Sequence, residues 1–447
     1  MTFLRRALCA ALGVALAALT LVAIACAGFV TTMARDFSVP ASTQQVTPPA
    51  ITPARPDRIQ VAILLGSGGT VATDAMGPYG VFAASDAFQV RTVSASREPV
   101  ALSGGLATIP QATYADYADG RLPTPDLVVV PAISDPSGAG EADLRSFIER
   151  AHADGSRVMG VCAGARVLVE TSVLDGRTAT SFWSDLDGMR SAHPETTWVS
   201  GKRWVDDGNV LTTAGVSSGI AASLYVVQQL AGEDEAVRIA DAVRYPHWEP
   251  TGSIDIPVNT VSLADYPYVL GATLPWGQPQ YGLGLLPGTN EIDIAAAAEL
   301  YGGAAFTAHV IPVAESAEIT TEHGMTLLTT PVAEAGKLDR LIVPGATTTS
   351  TLTDQLSDVP VFLPAADAGD GNTSFDPILA DIARTDGRAT AMTAAKYIEY
   401  PLPALPAEEG SPIRVTLLAI GAVLLAVLVG LAPAGIRRLR RPSQNAA

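Results

Sequence analysis

Apolar and polar positions along this 447-residue chain fall into three regimes. Near each end lies a long run almost free of charge, ALCAALGVALAALTLVAIACAGFV (7–30) and IRVTLLAIGAVLLAVLVGLAPAGI (413–436). Each matches the roughly 20 residues that a helix needs to cross a hydrocarbon layer. Between them, short apolar runs rich in branched residues, VAILLG (61–66), LVVVPA (127–132) and VMGVCA (158–163), alternate with helical patterns such as EADLRSFIERAHADG (141–155). Short continuous apolar runs are the signature of strands buried on both faces. Their alternation with helices predicts an α/β fold, a doubly wound, flavodoxin-like parallel sheet with flanking helices.

The pattern recurs. VAILLG matches LGLLPG (283–288), the segment Asp74–Phe82 matches Asp293–Tyr301, DLVVVPA matches DRLIVPGA, and AVRIADAVRYP (236–246) matches ATAMTAAKYIEYP (389–401). The matched prolines are 213 positions apart at Pro131/Pro344 but 155 apart at Pro246/Pro401, so the second copy is 58 residues shorter. The missing stretch is the one that carries Cys162 in the first copy. The expectation is two tandem copies: a complete domain at 59–250, and a shortened, degenerate one at 278–401 without the cysteine-bearing strand and helix.

Charge orients the two ends. Arg5 and Arg6 precede the first apolar run, and Arg437, Arg438, Arg440 and Arg441 follow the second within the tail 437–447. Arginine collects on the cytoplasmic side of membrane spans, so the run at 7–30 reads as an uncleaved anchor, the run at 413–436 as a second transmembrane helix, and both termini as cytoplasmic. The cell membrane is then a partner through both terminal helices, and the central domains are extracytoplasmic. Residues 31–58, containing VTPPAITPARP, read as a Pro-rich linker. Seven arginines lie outside 31–412; set against a formal net charge of −17, they leave −24 between the spans. So acidic a surface repels phosphate backbones and argues against nucleic-acid binding.

Candidate chemistry is narrow. Cys9 and Cys26 lie in the first apolar run, leaving Cys162 without a disulfide partner in the central region. In SRVMGVCAGARVLVETSVLDG (156–176), Cys162 sits between a strand pattern and a helix pattern, with Ala163-Gly164-Ala165 allowing a tight turn. Such a nucleophile elbow places the side chain at a helix N-terminus and predicts a thiolate-prone cysteine; a packed core cysteine is the alternative. The five histidines are scattered and no cysteines pair, so no metal or cofactor site is expected.

Three stretches, TDAMGPYGVF (73–82), VMGVCAGARVLVETSVLDGRTATSFW (158–183) and WVDDGNVLTTAGVSSGIAASLYVV (204–227), resemble the ThiJ/PfpI family of the class I glutamine amidotransferase-like superfamily, in the branch of isonitrile hydratase and the amidase-like domains of transcription regulators. The resemblance implies that Asp74 approaches Cys162; taken alone, Asp74 is also a plausible helix N-cap. It also implies an oxyanion or ligand pocket bounded by Ala132, Ile133, Ala163 and Gly164, and leaves a homodimer open. The sequence departs from the family where a Pro-Gly-Gly loop is usual, having Ala132 and Ile133 after Pro131, and it has Ala163 and Phe182 where relatives carry His. A peptidase-type Cys–His pair therefore has no support, and His152, His193 and His247 read as surface or packing residues. Two readings remain, a ligand-binding or oxidant-sensing module centred on Cys162 and, as the alternative, a cysteine-dependent hydratase- or glyoxalase-like enzyme acting on a small polar substrate through Cys162 and Asp74.

Overall fold

A computed structural model describes residues 2–40, 48–245, 248–368, 374–407 and 410–439. Pro246 and His247, the linker positions 41–47 and the tail positions 440–447 lie outside the described residues.

The first half is built on a seven-stranded sheet. Its order is Trp204–Asp207, Val210–Thr213, Arg157–Gly160, Leu127–Val130, Ile59–Leu64, Phe88–Ser94 and Ala112–Thr113, parallel except for the first strand. Helices Ala72–Ala83 and Val216–Ala231 pack against each other on one face, and Ala142–Ala153 lies on the other. The apolar runs read from the sequence are these central strands, and they are almost wholly buried because layers cover both faces. Chain direction across the sheet reverses between Ile59–Leu64 and Leu127–Val130. The crevice beyond the carboxyl ends of strands at such a switch point is where open α/β sheets bind ligands.

The second half has a five-stranded parallel sheet in the order Thr330–Pro331, His309–Ala314, Gln280–Gly284, Arg340–Ile342 and Val361–Phe362. One expectation is corrected here. A strand does follow Arg340–Ile342 at the place that Arg157–Gly160 holds beside Leu127–Val130, and the short helix Pro364–Asp367 comes after it. With only two residues this strand has no readable apolar run. A four-stranded antiparallel ribbon joins the halves, Glu318–Thr320 and Thr326–Leu328 from the second pairing through Leu106–Ile109 with Val100–Leu102 of the first.

Both ends are helical, Thr2–Asp36 and Ile413–Leu439, and the stretches Ala10–Asp36 and Ile413–Ala432 are long and apolar enough to cross a membrane. They pack closely: a β-carbon on Gly13 would meet the Gly430 carbonyl oxygen at 2.5 Å. The first helix outlasts its apolar run, so residues 31–36 are helix rather than linker. Docking explains the extension: the Thr32 hydroxyl donates to the Ala272 carbonyl at 2.8 Å, and the Gly104 N–H donates to the Asp36 carboxylate at 2.6 Å.

Candidate functional site

Cys162 follows the strand Arg157–Gly160 with φ of 55°, a left-handed conformation that non-glycine residues adopt only where surroundings impose it. Two hydrogen bonds hold it there. Its N–H donates to Thr213 Oγ1 at 3.2 Å, and Ser181 Oγ donates to its carbonyl at 3.3 Å. Gly164 completes the turn by close approach, since a β-carbon there would sit 2.0 Å from the Val130 carbonyl oxygen. Cys162 as a whole is 6% exposed.

Asp74 lies in the first turn of Ala72–Ala83, fully buried beside the cysteine. It does not cap that helix: the N-cap position is Val71, and Asp74 Oδ2 accepts the Ala132 N–H from the neighbouring loop at 3.1 Å. Its Oδ1 has no hydrogen-bond partner of good geometry among the described residues, although the Cys162 thiol is near enough to draw its pKa down somewhat. Burial wins over that and over the Ala132 bond. With the Glu299 carboxylate adding repulsion, it raises the Asp74 carboxyl well above the ordinary carboxylate range.

The expected thiolate is also corrected. Burial raises the Cys162 pKa well above that of a free thiol, and Asp74, Glu399 and Asp185 add to the effect; the Ala163 N–H is the one favourable contact opposing them. The following helix explains part of this. Ala165–Leu168 has only four residues, too few to build an appreciable macrodipole. Burial therefore works against the charged form of both groups.

Of the four expected pocket residues, Ala132 and Gly164 have their N–H groups committed, to Asp74 and to the Val161 carbonyl. Ile133 packs over Gly66, whose β-carbon would meet it at 2.8 Å, and Ala163 offers its N–H to the thiol. Past Ser181, whose hydroxyl bonds the Cys162 carbonyl, opens a cleft of about 350 Å³ bordered by Thr180, Ser181, Trp183, Arg190, Ala214 and Glu399, among others, while Cys162 and Asp74 lie behind its wall. Glu399 belongs to the second half. One of its carboxylate oxygens accepts the Gly215 N–H, and Ser217 Oγ donates to its carbonyl at 2.7 Å.

Sequence reasoning missed Glu399, Ser181 and Thr213. Glu399 stands inside the quoted repeat segment, but only the packing of one half on the other reveals its destination. No histidine acts on the thiol among the described residues: His152 lies near Asn209, and His193 pairs with Glu195 at 3.2 Å. No group of three or more potential metal-ligating side chains occurs among the described residues.

A profile of the DJ-1/PfpI family matches residues 59–229. Isonitrile hydratase of Pseudomonas putida is 32% identical over 198 residues, which span 42% of this chain and 80% of that protein. The HTH-type transcriptional regulator CdhR of Pseudomonas aeruginosa is 28% identical over 157 residues, covering 35% of this chain and 45% of the regulator. Among solved structures, a ThiJ/PfpI family protein from Pseudomonas syringae is 27% identical, with a TM-score of 0.38 over 44% of this chain and 78% of that one.

Proposed function

The chain belongs to the DJ-1/PfpI family, and on that footing we propose that it is a membrane-tethered, cysteine-dependent hydratase that adds water to a small polar substrate with an unsaturated carbon of the isonitrile kind. The observation that carries the reading is the buried pair of Asp74 and Cys162, whose pKa values burial raises, joined through the Ser181 hydroxyl to a cleft of about 350 Å³. A neutral acid can deliver a proton to the substrate carbon as the cysteine sulfur bonds to it. The thiol proton passes back to the Asp74 carboxylate, and water then adds to the thioimidate carbon and expels the sulfur, leaving a formamide and regenerating both groups. Oxidant sensing fits less well, because it needs an exposed thiolate and Cys162 is buried with a raised pKa.

The equal order of corresponding parallel strands in the two sheets supports a tandem duplication, with the complete copy at 59–250 and the shortened one at 278–401. The apolar terminal helices and their arginine flanks support a tether with both termini cytoplasmic and the two domains outside. A reporter active only in the cytoplasm, fused at residue 250, is expected to stay silent. Activity is tested by incubating the detergent-purified full chain with a panel of alkyl isonitriles and following the formamide. Loss of product in Cys162→Ser and Asp74→Asn is expected, and turnover by Cys162→Ser at the wild-type rate would refute the assignment.

A further inference from the structure

The two halves meet through contacts that exchange under the internal repeat. Thr73 and Gly80 correspond to Ile292 and Glu299, and Tyr79 and Gly104 correspond to Ala298 and His323. Thr73 Oγ1 donates to Glu299 Oε2 at 3.4 Å, while Gly80 packs on Ile292, whose Cγ1 a β-carbon would meet at 3.2 Å. Tyr79 donates its hydroxyl to the His323 carbonyl at 3.1 Å, while Gly104 packs on Ala298. In the joining ribbon, Thr108 lies opposite Leu327 and Ile109 opposite Thr326, an antiparallel register that mirrors itself. Residue i touching j′ while j touches i′ is the signature of an isologous, two-fold interface. Here it lies within one chain.

The same exchange reaches the clefts. Arg244 and Glu399 occupy equivalent repeat positions, each just before a Tyr-Pro pair, and both have left-handed φ, 50° and 51°. Arg244 crosses from the first half to pair at 2.9 Å with Asp293, the counterpart of Asp74. Glu399 crosses in the opposite direction to the Cys162 cleft. Its carboxylate holds the Gly215 N–H so closely that a β-carbon on Gly215 would strike Glu399 Oε2 at 2.7 Å, and the Ile398 carbonyl accepts the Ser217 N–H at 3.0 Å. Both left-handed residues close the C-terminus of a helix, the Tyr245 N–H donating to the Ala240 carbonyl and the Tyr400 N–H to the Ala395 carbonyl, each at 2.9 Å, so the turn sets φ; it does not require a glutamate, 8% exposed on a cleft wall, with its carboxylate turned toward the other half.

We propose that the second half is a built-in partner that completes the reactive cleft, delivering Glu399 across the two-fold interface as the positioning residue that governs the protonation of Cys162. The proposal rests on Cys162 being the reactive centre. Among its surroundings, Arg203 favours the ionised Glu399, and Lys396, three residues earlier in the chain, is engaged with Asp265 at 2.8 Å and the face of Trp183. Cys162 itself is also subject to Asp74 and Asp185. Burial raises the Glu399 carboxyl to about 7, which puts its change of charge around neutral pH. Ionised, it opposes the thiolate; neutral, it does not.

The test follows iodoacetamide alkylation of the Cys162-containing peptide, by mass spectrometry, from pH 5 to 10 on the full detergent-solubilised chain. Glu399→Gln retains an acceptor for the Gly215 N–H and removes the charge, whereas Glu399→Ala removes both. Wild type is expected to show a bend near the Glu399 titration. Both variants should lose that bend, and Glu399→Gln should react roughly 3- to 10-fold faster at pH 8, the effect of one nearby charge. Arg244→Gln, at the reciprocal crossing, should keep the wild-type profile. A wild-type profile in Glu399→Gln with a changed one in Glu399→Ala would reduce Glu399 to a cap. Complete protection of the thiol in all proteins, or loss of the bend in Arg244→Gln, would equally overturn the proposal. Alkylation is independent of turnover, so a hydratase assay that fails leaves this result readable.

Discussion

Asp74 Oδ2 accepts the Ala132 N–H at 3.1 Å while the same carboxyl faces Cys162, so one buried acid joins the first turn of Ala72–Ala83, the loop after Leu127–Val130 and the cysteine turn. Its folded pKa is raised above the unfolded value near 4, which means the native state holds a proton that the unfolded chain releases. The associated stability is therefore complete below the unfolded pKa and is lost as pH rises toward the folded one. Asp74→Asn keeps an oxygen for Ala132 and cannot ionise. Its melting temperature is expected to match wild type near pH 4 and exceed it at pH 8, while turnover falls about 10²- to 10⁴-fold. A wild-type pH dependence of melting in the variant would place the relevant proton elsewhere.

Gly164 answers to space rather than to conformational freedom. The Val130 carbonyl lies where a β-carbon would go, and that carbonyl also accepts the Val161 N–H at 2.9 Å. Gly164→Ala must push apart the two strands that bracket the site. A loss of about 3 kcal/mol is expected, as overpacking a tight interior contact costs. Chemical denaturation of the full chain measures it, and a change within about 0.5 kcal/mol would mean that the turn yields without strain.

These two residues also show how far sequence reads. Gly164 and the central strands were legible because tight turns need small residues and doubly buried strands need unbroken apolar runs. Asp74 was legible through the family resemblance, but its role as acceptor for Ala132 rather than as helix cap depended on where a second loop passes. The sign of the Cys162 shift was not legible, because it turns on the four-residue length of the helix Ala165–Leu168 and on burial by distant segments. Glu399 lay furthest out of reach. Its backbone sits in an ordinary-looking repeat end, and only the two-fold packing brings its carboxylate to the first half.

Below the second sheet, Arg340 forms a two-pronged ion pair with Asp381 at 2.7 and 2.8 Å, and the Tyr301 hydroxyl donates to the same carboxylate at 2.5 Å. The guanidinium also lies 4.9 Å from the centre of the Phe362 ring. Removing one partner leaves the other charge in a largely water-free setting, so Asp381→Ala is expected to cost about 3–5 kcal/mol. The double substitution Arg340→Met/Asp381→Leu should recover most of that loss. Urea unfolding monitored by circular dichroism gives both values, and a double variant as unstable as the single would show that the pair itself, rather than the orphaned charge, sustains the second half.

The terminal helices provide the last test. Gly13 and Gly430 approach so nearly that neither position has room for a side chain, and the site of a β-carbon on Gly430 lies 3.2 Å from the Ala17 β-carbon. With little hydrophobic drive between helices in lipid, such backbone contact is what holds two spans together. If both cross the bilayer, they form a hairpin within one chain, and Ala17→Cys/Gly430→Cys should oxidise to an intramolecular disulfide in membranes once the helices ease apart by less than about 1 Å, which admits the Gly430 side chain and brings the 3.2 Å separation into the roughly 3.5–4.5 Å of bonded cysteines. Adding Gly13→Ile should wedge the helices apart and reduce the yield at least several-fold. The readout is electrophoretic mobility without reductant, after cleavage between the spans: a cross-linked chain stays in one piece, and an uncross-linked chain falls into two. A product of twice the chain mass would show that the glycines face a second molecule, and an unchanged yield with Gly13→Ile would show that the helices do not cross at this point.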